Sequence, residues 1–370
     1  MANVLNTTPK KDGFRLVAEW ETQKQLWMIW PEHANNWHSG AKPAQRVWVD
    51  ICTKISEFQP VTVIASCEQY KTARYMLPPQ VRVIEMSIND SWARDSAPSF
   101  VINDKTGEVR GVDWGYNAYG GLEDGHYFPW DKTEQVAGKI CESEWMDYYQ
   151  APIVVEGGAI HTDGEGTLMT TEAVLCNSNR NPQFTKQQVE NHLKEYCGIE
   201  KVIWLPEGLP TDCTGGHIDD LACWVAPGKV ILQWTDDESS ENYDTVRRSY
   251  DILSTETDAK GRKLDIVKMM APQNPIIITE EEAQNYDLAE YNLEIEDGFE
   301  QVGSYINFLI GNGVILVPSY NDPNDDLAAE TLQSCFPDRQ VIQLENAREI
   351  AIGGGIVHCI THEQPAEQTK

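Results

Sequence analysis

Of the nine cysteines in the chain, Cys359 has the most unusual surroundings, the run AIGGGIVHCITHEQP. Three consecutive glycines, Gly353 to Gly355, permit backbone angles closed to other residues and leave no side chains above the chain. A small ligand can approach there, and Gly355 is a candidate contact for it. Cys359 follows two β-branched residues and His358, so the thiol is expected at a strand end, outside the mid-core. A free thiol of pKa near ~8.5 is a poor nucleophile at neutral pH, and a neighbouring positive charge lowers that value. His217, in Gly215-Gly216-His217-Ile218-Asp219-Asp220, is the candidate to supply the charge or to move the proton. If this segment is a strand, His217 and Asp219 face one ligand together and Asp220 points away.

Two more acids have distinctive settings. Asp95 lies in Trp92-Ala93-Arg94-Asp95, and Glu156 ends the apolar run Ile153-Val154-Val155 ahead of Gly157-Gly158. A carboxylate placed directly after a buried strand is costly unless it meets a cation or donors. Asp95, Glu156 and Asp219, with one His and one Cys, call for a planar cation with many donors. A guanidinium offers N–H groups in a fork that carboxylates grip bidentately, and its carbon is an electrophile for a thiolate. Metal chemistry is less well supported. His358 and His362 stand at i, i+4 around Cys359, but the β-branched run after three glycines argues against the helix a zinc face needs. No HExxH, EF-hand, cysteine-rich finger or Walker A run occurs.

Short β-rich runs supply the positions: Val61–Ala65, Val81–Met86, Pro152–Val155, Lys201–Leu205, Lys229–Trp234, Pro275–Thr279, Tyr305–Ile310, Val314–Val317 and Gln340–Leu344. Helices are predicted over Ala44 to Phe58, from the capping box Thr185-x-x-Gln188 to Gly198, over Ser240 to Leu253 and over Asp325 to Cys335. A ββαβ rhythm runs through them. Glu156 follows Asp95 by 61 residues, His217 follows Glu156 by 61, and Cys359 follows His217 by 142, two steps of 71. Five units fit, the fourth being the Tyr305–Tyr320 hairpin. A fixed period with a polar group at one phase suggests repeats around an axis, each donating to a shared centre. Separate α/β units with coincidental spacing are the alternative.

Composition narrows the partners. Hydrophobic residues make up 41% and charged residues 24%, which excludes intrinsic disorder. The net charge of −29 repels phosphate backbones and anionic lipid heads, so neither nucleic acid nor membrane is expected as a partner. A small cationic molecule suits it better, although acidity also serves solubility alone. No apolar run reaches a membrane span, and no signal peptide is visible, so the expected location is the cytoplasm. An odd number of irregularly spaced cysteines reads as reduced thiols.

The chain closely resembles the agmatine deiminases, within the guanidine-modifying enzyme superfamily and its peptidyl-arginine-deiminase-like family. The likeness runs from Glu19-Trp20 through Trp27-Met28-Ile29-Trp30-Pro31 to Pro365. It is carried by Trp92-Ala93-Arg94-Asp95, Val112-Asp113-Trp114 with Asn117 and Gly120-Gly121, Glu156-Gly157-Gly158, Asn179-Arg180-Asn181-Pro182, Gly216-His217-Ile218-Asp219 and GGGIVHCIT. Departures are modest: Ala97 replaces a usual Gly, and the tail reads His362-Glu363-Gln364-Pro365. The resemblance implies an α/β fold, a five-bladed propeller of ββαβ units forming one catalytic domain over 1–370, with ends 1–11 and 366–370 loose. It implies conversion of agmatine and water to N-carbamoylputrescine and ammonia, without metal or organic cofactor, in a homo-oligomer. Cys359 would be the nucleophile and His217 the general acid/base. Asp95 and Asp219 would grip the guanidinium, and Glu156 would support both it and His217.

Agmatine ends in an ammonium where arginine carries an α-carboxylate, so it needs an apolar sleeve in place of an Arg. Trp92, Trp114, Tyr116 and Tyr119 are candidates for that sleeve, and ordinary core packing is their alternative. Two other classes remain open: an amidinotransferase using the same nucleophile, and a non-enzymatic agmatine- or polyamine-binding module. A binding module needs no thiol.

Overall fold

Short apolar runs broken by polar turns give short strands, and a parallel partner needs a crossover long enough for a helix. The computed structural model, which describes residues 1–287 and 295–368, is a mixed α/β fold that repeats one such arrangement five times. In each unit two strands pair antiparallel, a helix follows, and a third strand pairs parallel with the second.

The first unit joins Ser99–Ile102, Val109–Gly115, the helix Val136–Ser143 and Tyr148–Val154. The second joins Ile160–Thr162, Thr167–Thr171, Lys186–Cys197 and Lys201–Leu205. The third uses Ala222–Ala226, Lys229–Trp234, Tyr243–Thr255 and Asp265–Met270. The fourth uses Leu309–Gly311, Val314–Pro318, Asp325–Cys335 and Gln340–Leu344. The fifth is built from both ends of the sequence. Its first strand, His362–Pro365, lies antiparallel to Gln23–Ile29, which the helix Lys42–Ile55 links to the parallel strand Val61–Ala65.

The helices form for the expected reasons. Val47, Trp48, Ile51, Cys52 and Ile55 form the buried stripe of Lys42–Ile55. Thr185 and Gln188 exchange both bonds of a capping box, and Gly198 ends that helix at φ 62°. Among the described residues, no helix is long and apolar enough to cross a membrane.

Several expectations are corrected. The start of the chain is held in place: Val4–Leu5 pair parallel with Tyr148–Tyr149, and Asp12 accepts from the Tyr149 hydroxyl at 2.8 Å. At the other end, Ala366 and Gln368 donate backbone bonds to Thr22 and Gly107, while 369–370 lie outside the described residues. Of the run 305–310 only Leu309 and Ile310 are in a strand, which spans Leu309–Gly311. Residues 218–220 form one turn of 3₁₀ helix, where a strand was expected.

Candidate active site

Five turns, carrying six polar groups between them, lead into the first strands of the five units. Asp95 precedes Ser99, Glu156 precedes Ile160, His217 and Asp219 precede Ala222, Asn307 precedes Leu309, and Cys359 precedes His362. The strands fix the ends of these turns, so the repeat brings all five to one place. Each of these side chains is buried.

Asp95 sits in the short helix Ala93–Ser96, pinned because the Arg94 N–H donates to the Cys359 carbonyl at 3.0 Å. Its carboxylate accepts from the Tyr119 hydroxyl and from the Gly158 N–H, each at 2.9 Å. Glu156 accepts from Arg180 Nε at 2.5 Å, and the same guanidinium donates to the Thr214 carbonyl at 2.9 Å. The backbone N–H of His217 donates to Asp212 Oδ2 at 2.6 Å, after Gly215 and Gly216 turn the chain at φ 95° and 109°. That carboxylate and those angles draw 217–220 into a turn. His217 and Asp219 still converge, and Asp220 comes inward with them. Oxygens of Asp219 and Asp220 and the Cys359 sulfur all lie within 4.8 Å of one another.

The imidazole of His217 lies between two acids, Nδ1 at 3.9 Å from Asp95 Oδ1 and Nε2 at 4.0 Å from Glu156 Oε2. Cys359 Sγ is 3.7 Å from Asp219 Oδ2 and accepts from Asn307 Nδ2 at 3.1 Å. Gly158 makes the crowding possible: a Cβ there would stand 2.7 Å from His217 Nδ1 and 3.0 Å from oxygens of both Asp219 and Asp95. Gly355 has the same role beside the thiol, where a Cβ would meet the Trp92 ring at 2.6 Å and the Cys359 Cβ at 3.1 Å. Trp92 therefore lies against the segment that carries Cys359, backed by the Trp37 ring at 5.2 Å.

Trp114 does not join them. Its indole N–H donates to Ser99 at 2.9 Å and its ring packs on Tyr196, in the core between the first two units. Of the aromatic residues, Tyr119 bonds Asp95, and Tyr116 packs edge-on against it while pairing with Tyr127 at 2.8 Å.

Buried groups normally find partners, yet Glu156 Oε2, His217 Nε2 and Asp219 Oδ1 have no hydrogen-bond partner among the described residues. The acids are tuned apart. Burial lifts Asp95 to about 6, against the pull of His217, with Asp219 adding to the rise. Burial also works against ionised Glu156 and Asp219. The charge of Arg180 outweighs it at Glu156, and the bond and charge of His358 outweigh it at Asp219, so both fall below the usual range. Burial favours neutral His217, but Asp95, Asp212 and Glu156 overcome it and raise its pKa. The Cys359 thiol is pushed well up, first by burial, then by Asp219, Asp220 and Asp95. An added cation would reverse that push.

Two donor groups are close enough to hold a metal: Asp219, Asp220 and Cys359, and Glu19, His161 and His358. Both are already engaged within the protein. Asn307 donates to the thiol sulfur, and both nitrogens of His358 contact carboxylates.

Sequence reasoning missed Asn307, Arg180 as the partner of Glu156, and the inward Asp220. Asn307 had a signal, being the one amide in the apolar run Tyr305–Ile310. Arg180 lay within a family segment but offered no sign of its partner.

Residues 15–365 match the profile of the Porphyromonas-type peptidyl-arginine deiminase family. An agmatine deiminase of Pseudomonas aeruginosa is 48% identical over 362 residues, covering 97% of this chain and 98% of that one. One of Pseudomonas syringae is 49% identical over 364 residues, covering 98% of each. The solved agmatine deiminase of Enterococcus faecalis superposes with a TM-score of 0.96 at 45% identity, covering 100% of both chains. With its acids, imidazole and thiol gathered at one centre, the chain belongs to the Porphyromonas-type peptidyl-arginine deiminase family, among its agmatine deiminases.

Proposed function

We propose that the protein hydrolyses agmatine to N-carbamoylputrescine and ammonia, through a covalent intermediate on Cys359. The observation that carries this reading is the set of buried atoms without partners, Glu156 Oε2, His217 Nε2 and Asp219 Oδ1, around one thiol. The two carboxylate oxygens match the donors of a guanidinium, and His217 Nε2 stands beside them to exchange protons. The two buried arginines favour agmatine over arginine. Arg94 is committed to Glu19 and Glu363, and Arg180 to Glu156 and Thr214, so neither offers its charge to an α-carboxylate. The relatives named above act on agmatine by name, and a net charge of −29 suits a dication.

The guanidinium sits among Asp95, Glu156 and Asp219, and its charge lowers the cost of the Cys359 thiolate. Asn307 Nδ2 holds the sulfur. The thiolate adds to the guanidine carbon, and the carbon–nitrogen bond to a terminal nitrogen breaks as His217 gives that nitrogen its proton. Ammonia leaves, and an S-alkylthiouronium stays on Cys359, held by the same carboxylates. His217 then takes a proton from water, which attacks the carbon, and the carbon–sulfur bond breaks to release the urea product and the thiolate. Trp92 and Tyr119 line the methylene chain.

The five like units are blades of a five-bladed propeller around this centre. The reading is supported by their shared strand order and by the placing of one polar turn ahead of each. The protein works in the cytoplasm, as an assembly of identical chains. Incubation with agmatine and with arginine, measuring ammonia and the mass of the co-product, tests the activity. Ammonia from agmatine with a carbamoyl product is expected. Failure to release it, or faster turnover of arginine, refutes the reading.

A further inference from the structure

His358 adjoins the nucleophile, but the steps above do not use it. Its Nδ1 lies 2.8 Å from Asp219 Oδ2 and its Nε2 2.8 Å from Glu19 Oε1. Ionised carboxylates only accept, so two such contacts require both ring nitrogens to carry protons. Glu19 in turn meets Arg94 Nη1 at 3.3 Å, and Arg94 Nη2 meets Glu363 at 2.7 Å. The result is a chain of alternating charge, Asp219, His358, Glu19, Arg94 and Glu363. It starts at Asp219 and joins four separate parts of the sequence. Asp95, the other carboxylate of the pair, has no cation in such contact: its bonds come from a hydroxyl and a backbone N–H, and His217 stands 3.9 Å off.

We infer that His358 is a positioning residue, a standing imidazolium that keeps Asp219 ionised and turned toward the guanidinium before substrate arrives. The inference deepens the proposed function and rests on Asp219 gripping the substrate. The neighbours fit the role. Asp219 also faces His217 and Arg94, whose charges favour its anion from a distance, and the acids Asp95 and Asp220 and the Cys359 thiol, but only His358 bonds it as a cation. His358 faces Glu19, Arg94, His161 and His362, of which only Glu19 is an anion. Burial and Arg94 oppose its protonation, yet Glu19 and Asp219 hold it at about 9. Without His358, Asp219 would stay buried and lose the cation that bonds it, keeping only the more distant charges of His217 and Arg94. A carboxylate beside an opposite charge typically has its pKa lowered by about 1–3 units, and that lowering would be lost.

The test compares wild type, His358→Gln and Glu19→Gln in the pH dependence of kcat/KM for agmatine. In His358→Gln the ionisation of Asp219 on the acid limb is expected to move up by about one unit or more, with a fall of at least about tenfold in kcat/KM at pH values below it. In Glu19→Gln, which leaves the Nδ1 contact in place, a smaller shift is expected. A merely structural role would lower the melting temperature and the rate without moving the limb, and that outcome overturns the inference. If His358→Gln does not fold, wild-type protein labelled with ¹⁵N-histidine decides. His161 also contacts Glu19, at 3.4 Å, so His358 is identified as the ring that responds both to Glu19→Gln and to Asp219→Asn; it should be doubly protonated at pH 8 in wild type, and a neutral ring there overturns the inference. That measurement needs no substrate. Absence of wild-type turnover would thus refute the proposed function separately.

Discussion

Replacing Gly158 with alanine adds one methyl group at the most crowded point of the site. The new Cβ would stand 2.7 Å from His217 Nδ1 and 3.0 Å from both Asp219 Oδ2 and Asp95 Oδ1, where ordinary contact begins near 3.4 Å. Relief requires these groups to separate by about 0.4–0.7 Å, and misplacement on the order of 1 Å costs about a hundredfold in rate. A loss of about ten- to a hundredfold in kcat/KM is therefore expected. The backbone is not the obstacle, because Gly158 lies outside the left-handed region. The Gly158 N–H remains available to Asp95. Gly158→Ala should accordingly stay folded, with a melting temperature near that of wild type. Initial rates of ammonia release over a range of agmatine concentrations provide the readout. A folded variant within about threefold of wild type would refute the argument that these three side chains act at fixed, touching positions.

Other expectations concern single groups. Cys359→Ser should abolish turnover with the fold intact, since a serine hydroxyl there has no means of ionising; retention of a tenth of the rate would remove Cys359 from the chemistry. Asn307→Ala removes the donor to the sulfur, a bond worth about 1.5–3 kcal/mol when the acceptor is charged, so kcat should fall about ten- to a hundredfold. Asp95 is held at about 6 in the free protein, above its ordinary 3.8, so it is largely protonated below pH 6. Gripping a cation requires its anion, so agmatine should bind Cys359→Ala more weakly as pH falls through 6, with proton release on binding. Calorimetry in buffers of differing ionisation enthalpy measures this, and pH-independent binding between 5 and 7 would count against it.

The convergence of Cys359, His217, Glu156 and Asp219 was legible because each stands in or beside an apolar or glycine-rich run, where an unpaired polar group is costly, and that of Asp95 because it falls at the same phase of the repeat. The ββαβ rhythm was legible because strands and helices impose different apolar periods. Closure of the fifth unit was not, since no local pattern links Gln23–Ile29 to His362–Pro365. The turn at 217–220 was misread as a strand because the deciding contact comes from Asp212, whose side chain captures the His217 N–H. Trp114 was misplaced for a related reason. An aromatic at a strand end reads the same whether its ring meets a ligand or Tyr196, and only the packing of the first two units decides. The partnership of Glu156 with Arg180 likewise depends on how a loop folds back across 24 residues.

The clasp between the two ends has a consequence for how the enzyme is made. Gln25 and Gln364 bond at 2.6 Å across 339 residues, and Cys359 stands just ahead of that closing strand. A chain emerging from the ribosome displays Asp95, Glu156, His217 and Asp219 long before it carries a sulfur for them to use. With Cys359 as the proposed nucleophile, synthesis that halts anywhere before residue 359 would yield an inert product, and the last strand docks onto a partner made near the beginning. Activity thereby certifies that translation has passed the clasp and that the two distant segments have met, so abandoned fragments leave the cell's agmatine untouched.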